Sequence, residues 1–189
     1  MNSPRATPIG EHGLKTSHKG RRGSETVEFT FVLLPLLAIM FVLIDASWAI
    51  FAKSTLLYAV RTAVRSGITV TGTQASAAHQ TLTQMVKSSV QSSSLGLLKG
   101  NTGLSYIQVH YLTQDSSSST GVTDVSSHST GNAPGNIMQV SINNFPLPAL
   151  MPRVYGLAFH ADSSATNLTV VSADQIGASG DVPPIGTAP

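Results

Sequence analysis

Residues 28–53 read EFTFVLLPLLAIMFVLIDASWAIFAK, and residues 29–44 within this stretch carry no charge. The uncharged part is slightly shorter than the roughly 20 apolar residues that a membrane helix needs. Residues 46–52 complete a span if Trp48 lies at the depth of the membrane interface, where tryptophan is enriched. The stretch therefore predicts one membrane helix, with Asp45 near its outer boundary.

The helical pattern continues beyond the predicted span. Residues 54–66 keep apolar side chains at helical spacing, and Gly67 is the first strong stop signal. Pro35 removes one backbone donor and predicts a kink, which membrane helices tolerate when neighbouring groups adjust. We therefore expect a single helix over residues 24–67, half in lipid and half in an exported domain.

Charge is distributed unevenly along the chain. Residues 1–23 hold five basic residues and one acidic residue, a net charge of +4, whereas the remainder carries −2. A basic flank predicts that residues 1–23 stay cytoplasmic and that the C-terminal bulk is exported. The high isoelectric point arises from this leader, so the sequence predicts no nucleic-acid partner. The absence of cysteine excludes disulfides and thiolate chemistry.

The junction between leader and membrane segment, residues 19–29, reads KGRRGSETVEF. Glu28 is a lone carboxylate at the mouth of the apolar run, a position where an acid loses hydration and is usually functional. A cut after Gly23 would make Ser24 the new N-terminus and Glu28 the fifth residue of the mature chain.

This junction resembles the processing site of type IV pilin-like precursors. The continuation, with Phe29 after Glu28 and Pro35 after a few apolar residues, most resembles the TadE-like pseudopilins of tight-adherence (Flp) pilus systems. The resemblance covers roughly residues 21–65. It implies a minor pilin-like subunit that supports pilus assembly in the bacterial cytoplasmic membrane.

The resemblance also implies roles and partners. A membrane prepilin peptidase would cut between Gly23 and Ser24, and Glu28, Phe29 and Pro35 would serve assembly. The partners implied are other pilin-like subunits, the prepilin peptidase, the pilus assembly platform and the lipid bilayer. We predict no cofactor and no metal site.

Glu28 has a physically reasonable role in such an assembly. The Ser24 amine released by cleavage would be mostly protonated near neutral pH. A cation within about 4 to 6 Å stabilises a carboxylate that enters lipid. Glu28 of an incoming subunit could therefore pair with the Ser24 amine of a subunit already packed. The alternative, that Glu28 simply lies among the headgroups, stays open.

The exported region predicts a small α+β domain over residues 68–175. A second helix is expected at residues 74–90. About three antiparallel strands are expected at residues 104–113, 137–142 and 167–173, and a long polar loop is expected at residues 114–136. Residues 143–148 are expected to break the pairing, and residues 150–159 are ambiguous. The Gly- and Pro-rich residues 176–189 predict a disordered tail.

We predict no enzyme. The chain has no zinc-protease, nucleophile-elbow or phosphate-loop motif. The histidines and aspartates of the exported region lack diagnostic spacing; they include His110, His128 and His160 with Asp115, Asp124 and Asp162.

Three alternatives remain open at this stage. A signal-anchored extracytoplasmic binding domain, unrelated to a pilus, would leave the leader uncut. A secretory signal peptide could be cut before Ile50, after the small-x-small sequence of residues 47–49. A TadE-like assembly factor could also keep its leader.

Overall fold

The structure is a computed structural model that describes residues 22–147, 166–177 and 181–186. The chain forms two compact units, Met1–Phe41 and Val42–Pro189. The described elements are helices α1 (Arg22–Gly67), α2 (Gly72–Ala78), α3 (Leu82–Ser93) and α4 (Gly100–Ser105), and strands β1 (Ile107–Gln114), β2 (Val122–Asp124), β3 (Ile137–Leu147) and β4 (Thr166–Gln175). The predicted α+β class is confirmed, and α1 ends at Gly67, where the sequence places its stop.

The four strands form one antiparallel sheet in the order β2-β1-β3-β4. Burial alternates along β1, so that Ile107, Val109 and Tyr111 face the core and the residues between them face outward. Along β3, Val140 pairs with Val109 and joins the same inner face. One face of the sheet therefore carries the core.

The core of the second unit includes the C-terminal part of α1. Leu56, Ala59, Val60, Ala63 and Val64 are fully buried, and their spacing of three and four residues places them along one stripe of the helix. They belong to one cluster with buried residues of α3 and the sheet. An added methyl group on the last residue of α1, Gly67, would lie 2.7 Å from Val86 and 2.9 Å from the Met138 sulfur, so a side chain there would force these neighbours to shift.

The single helix predicted over residues 74–90 is two helices. His79, with φ 51°, lies in the left-handed region and ends α2. Thr81 then begins α3 with a capping box, since its hydroxyl accepts from the Gln84 amide and the Gln84 side chain accepts from the Thr81 amide. The Thr-x-x-Gln pattern at residues 81–84 is a start signal that the apolar periodicity masked.

The sheet is also larger than predicted. The short strand β2 lies inside the predicted loop of residues 114–136, and α4 precedes β1. The pairing that was expected to break over residues 143–148 continues to Leu147, and residue 148 lies outside the described part of the chain. A bulge occurs between Ile142 and Phe145, with Asn144 at φ 55°, and pairing with β4 then resumes at Phe145 opposite Leu168. The ambiguous residues 150–159 lie outside the described part of the chain.

Residues 181–186, here called the C-terminal strap, are packed against the domain, whereas their composition predicts disorder. The strap carbonyl of Pro184 accepts from the Leu82 amide at 2.8 Å, and that of Ile185 accepts from the Thr83 hydroxyl at 2.6 Å. Ile185 is only 4% exposed. The strap therefore supplies acceptors for the first amides of α3, which have no partner within the helix.

The strap also caps α2. The Asp181 backbone carbonyl accepts from the Gly72 amide at 3.3 Å, and its carboxylate accepts from the amide and hydroxyl of Thr73 at 2.9 and 2.8 Å. These hydrogen bonds from Thr73 lower the pKa of Asp181 below its usual range. The strap thus provides hydrogen-bond acceptors for the N-terminal amides of both α2 and α3, which precede it by about a hundred residues.

Candidate functional site

All five residues that the sequence predicts for processing and assembly lie on α1. The helix begins at Arg22, so that Gly23 and Ser24 fall in its first turn, and Glu28 lies four residues after Ser24. Glu28 is exposed. Its carboxylate therefore lies about one helical turn after Ser24, whose amine a cut after Gly23 would release.

The surface of α1 around and after Glu28 is apolar and uncovered. Phe29 is 63% exposed and Phe31 is 77% exposed, and Ile50 is 70% exposed on the part of α1 in the second unit. Among the described residues, α1 is the one helix long and apolar enough to cross a membrane, and none of its most apolar 18-residue stretch is buried. A helix of this kind is consistent with a single-pass membrane protein.

The polar side chains on the apolar stretch bond to the helix itself. The Thr30 hydroxyl donates to the Thr26 carbonyl at 2.8 Å, and the Ser47 hydroxyl donates to the Leu43 carbonyl at 2.7 Å. Such back-bonding satisfies a hydroxyl without water. It makes both side chains compatible with a lipid environment, where every polar group needs an internal partner.

Pro35 shapes a shallow apolar notch on α1. The notch is lined by residues spaced three and four apart around one face, namely Val27, Thr30, Phe31, Leu34 and Pro35. Because proline has no amide hydrogen, the Phe31 carbonyl lacks its usual helical donor. A notch of this kind can receive a side chain from a neighbouring helix. Apart from Pro35, the residues that line the notch were not predicted from the sequence, although their spacing around Pro35 indicates them.

A His–Asp–Ser cluster lies at the outer edge of the sheet in the second unit. The His110 Nδ1 lies 2.8 Å from the Asp124 carboxylate, and the Ser126 hydroxyl donates to the same carboxylate at 2.5 Å. Partial burial of Asp124 opposes its ionisation, but hydrogen bonds from Ser126 and His110 outweigh that effect and lower its pKa. Since Ser126 bonds to the carboxylate and not to the imidazole, the cluster holds no paired nucleophile and base.

The remaining titratable residues named in the sequence analysis do not join that cluster into a site. Asp115 accepts from Ser117 and Thr123 within its own hairpin, and these hydrogen bonds lower its pKa. His128 lies in the following turn, and His160 and Asp162 fall outside the described residues. Within the described ranges, no group of three or more His, Asp or Glu residues could hold a metal ion.

The family comparison points to the same part of the chain as the apolar helix. The family model of TadE-like proteins matches residues 23–65. The match begins at Gly23, includes Glu28, Phe29 and Pro35, and ends at Arg65, two residues before α1 ends. No curated protein and no solved structure matches the chain. The match confirms the resemblance inferred from the sequence.

Proposed function

We propose that this chain is a minor pilin-like subunit that supports assembly of a tight-adherence (Flp) pilus. In this proposal residues 1–23 lie in the cytoplasm, a prepilin peptidase cuts after Gly23, and the second unit is exported. The observation that carries the proposal is the TadE-like match, which starts at the proposed cut and follows the exposed apolar helix through Glu28.

The first turn of α1 is a reasonable place for a cut. A peptidase needs an extended backbone at the bond it cleaves, so the Gly23–Ser24 region has to leave the helix. The first four amides of a helix have no intrahelical partner, and glycine favours the unfolded chain by roughly 0.5 to 1 kcal/mol relative to alanine. Local opening at Gly23 therefore costs little, and the rest of the helix can stay intact.

Once cut, the chain would carry a cation at its new N-terminus and an anion about one helical turn later, at Glu28. A protonated Ser24 amine and the Glu28 carboxylate are complementary, and pairing between two subunits would set their axial register. Leaving either charge unpaired in lipid is costly. The apolar notch at Pro35 lies on the same helix, seven residues after Glu28, and a side chain of the neighbouring subunit would pack into it.

The proposal is tested first by the N-terminus of the protein in the membrane fraction, determined with and without the prepilin peptidase. We expect Ser24 as the N-terminus only when the peptidase is present. A Gly23→Leu variant should accumulate as the full-length precursor. An N-terminus near Ile50 would instead indicate a secreted domain, and an intact Met1 in both strains would indicate an unprocessed anchor; each outcome contradicts the processing step.

The assembly role of Glu28 is tested separately from processing. We expect a chromosomal Glu28→Gln variant to insert in the membrane and to be cut normally, but to lose piliation. Glu25→Gln is the matched control, because Glu25 is an exposed acid of the first helical turn and lies three residues from Glu28. Normal piliation in the Glu28→Gln strain would refute the pairing role, and equal losses in both strains would show a general requirement for negative charge.

A further inference from the structure

Helix α1 carries a recess and a projecting ring on opposite sides. The recess is the Pro35 notch, which has a volume of about 390 Å³. At 3.6 residues per turn, Phe29 lies about 170° around the helix from the middle of the five residues that line the notch. Phe29 is 63% exposed. Parallel copies in a row would therefore place the ring of each copy against the notch of the next.

The notch suits an aromatic ring in size and in polarity. A cavity of about 150 Å³ with apolar walls holds benzene, so a phenyl ring fits a notch of this volume. The Thr30 hydroxyl donates to the Thr26 carbonyl at 2.8 Å, so it adds no unpaired donor to the wall. The wall also contains the ring of Phe31, and aromatic pairs gain energy beyond the area that they bury. Helices in lipid associate mainly through close packing, so a side chain that fills the notch favours association.

The proposed charge pair sets the axial offset between two parallel helices. Where the Glu28 carboxylate of a first copy meets the Ser24 amine of a second copy, the helices are shifted by one turn, about 5.4 Å. Each residue of the second copy then lies level with a residue roughly three to four positions later in the first copy. Phe29 of the second copy is therefore level with residues 32–33 of the first copy. This is the middle of four lining residues of the notch, which are Thr30, Phe31, Leu34 and Pro35.

Glu28 borders the notch. Glu28, Phe31 and Pro35 follow one another at spacings of three and four residues, so they share one stripe of α1. A second copy whose N-terminus reaches Glu28 therefore lies beside the notch. That copy has to leave its own Glu28 and its own notch open for a third copy. The side that it turns toward the first copy is therefore the one that carries Phe29.

We infer that the Phe29 ring of one copy of this chain packs into the Pro35 notch of the next copy, with the two helices parallel and one turn out of register. The ring and the notch are different patches of the same protein, so the contact is heterologous and repeats from copy to copy. This inference rests on the proposed function, because the charge pair of the processed subunits sets the offset. It goes further by naming the side chain that fills the notch and the register in which the membrane helices pack.

Cysteine crosslinking tests the register while leaving the ring and the notch in place. The chain contains no cysteine, so Leu33→Cys in one tagged copy and Ala38→Cys in a copy with a different tag form a unique pair. Leu33 follows Phe29 by four residues and, at an offset of one turn, lies level with residues 36–37 of the next copy, beside Ala38 on the notch side. We expect oxidation with copper phenanthroline to yield a species with both tags in membranes that contain the prepilin peptidase. Leu36→Cys is the matched control for Ala38→Cys: Leu36 lies at the same height but on the side opposite the notch, and should crosslink about tenfold less.

A change in side-chain size tests whether the ring occupies the notch. The two tagged chains are purified together in nanodiscs from cells that contain the prepilin peptidase. We expect Phe29→Ala in both copies to reduce recovery of the second tag about fivefold or more, because the notch loses the ring that fills it. Ile39→Ala is the matched control: Ile39 is 60% exposed but lies on neither the ring side nor the notch side, and recovery should stay within about twofold. Leu34→Trp overfills the notch and should also lower recovery, and the double variant Phe29→Ala/Leu34→Trp should recover more of the second tag than Leu34→Trp alone.

Several outcomes would overturn the inference. These are crosslinking as strong in the control pair as in the predicted pair, unchanged recovery in Phe29→Ala, or a double variant that recovers no more of the second tag than Leu34→Trp alone. The last result would mean that another group, such as a lipid chain, fills the notch. If Ser24 is released but the predicted pair does not crosslink, the contact fails and the processing step stands. If Met1 stays intact and the predicted pair still crosslinks, the processing step fails and the contact stands.

Discussion

Replacing Ile185 by alanine should destabilise the second unit, although the residue lies in a segment whose composition predicts disorder. Its side chain is 4% exposed and belongs to the same buried cluster as Val140 and Ile142 of β3. Truncating a buried isoleucine to alanine costs about 2 to 5 kcal/mol, depending on how far the neighbours collapse. The strap is a single segment that can shift toward the gap, so we expect the lower part of that range, about 2 to 3 kcal/mol.

This loss is large relative to the 5 to 15 kcal/mol that stabilises a typical domain. Amide hydrogen exchange of the full-length protein in detergent is the assay, because core strands exchange through global opening. A loss of 2 to 3 kcal/mol should accelerate exchange across β3 by about 30- to 150-fold. Val182→Ala is the control: Val182 lies in the same strap but is 43% exposed, and should change exchange less than threefold. Exchange in Ile185→Ala as slow as in the control would refute the packing of the strap.

Three further predictions follow from the second unit. Burial raises the pKa of Tyr111 to about 12, and its hydrogen bond with Thr83 lowers the pKa by less. The contribution of the neutral Tyr111 side chain to the free energy of unfolding is therefore complete below the ordinary tyrosine pKa and is lost as the pH rises toward 12. Tyr111→Phe should remove this alkaline loss of stability, measured by urea unfolding at a series of pH values. The lowered pKa of Asp181 has the opposite consequence, because its contribution to stability is present above the usual aspartate range and is lost as the pH falls below it. The Gly72 and Thr73 amides donate to Asp181, so their protection factors, which compare the exchange rate with that of the unfolded chain at the same pH, should fall in acid, and Asp181→Asn should abolish this dependence. Gly67→Ala should lower the free energy of unfolding in urea by about 1 to 3 kcal/mol, because a methyl group there would lie under 3 Å from side chains of α3 and β3. Gly177→Ala is the control: it has open space around it and should leave the free energy of unfolding nearly unchanged.

The N-terminal half of the molecule was predictable because its signals are local. A charge-free run, a basic flank and the spacing of Gly23, Glu28 and Pro35 lie within about thirty residues. The stripe from Leu56 to Val64 repeats at helical spacing, so the packed face of α1 follows from periodicity alone. The family match to residues 23–65 covers this same region.

The second unit was predictable in class but not in detail, because its details depend on contacts between distant residues. The strand after Ile142 continues because β4 pairs across the bulge, and no signal near Asn143 and Asn144 indicates that partner. The strap is ordered because Pro184 and Ile185 meet amides of α3 about a hundred residues earlier. Amino-acid composition describes only the segment itself, so it predicted a disordered strap. The contacts that hold the strap in place come from a helix that is distant in the sequence.

The position of the strap near the end of the described residues also affects the order in which the second unit can fold. Asp181 and Thr73 are separated by 108 residues, and α2 and α3 lack acceptors for several of their first amides until the strap arrives. At synthesis rates of 5 to 20 residues per second, that interval lasts roughly 5 to 20 s. During this time both helices have emerged, but the first amides of each helix still lack the acceptors that the strap provides. Folding to full stability is thereby delayed until the strap has followed.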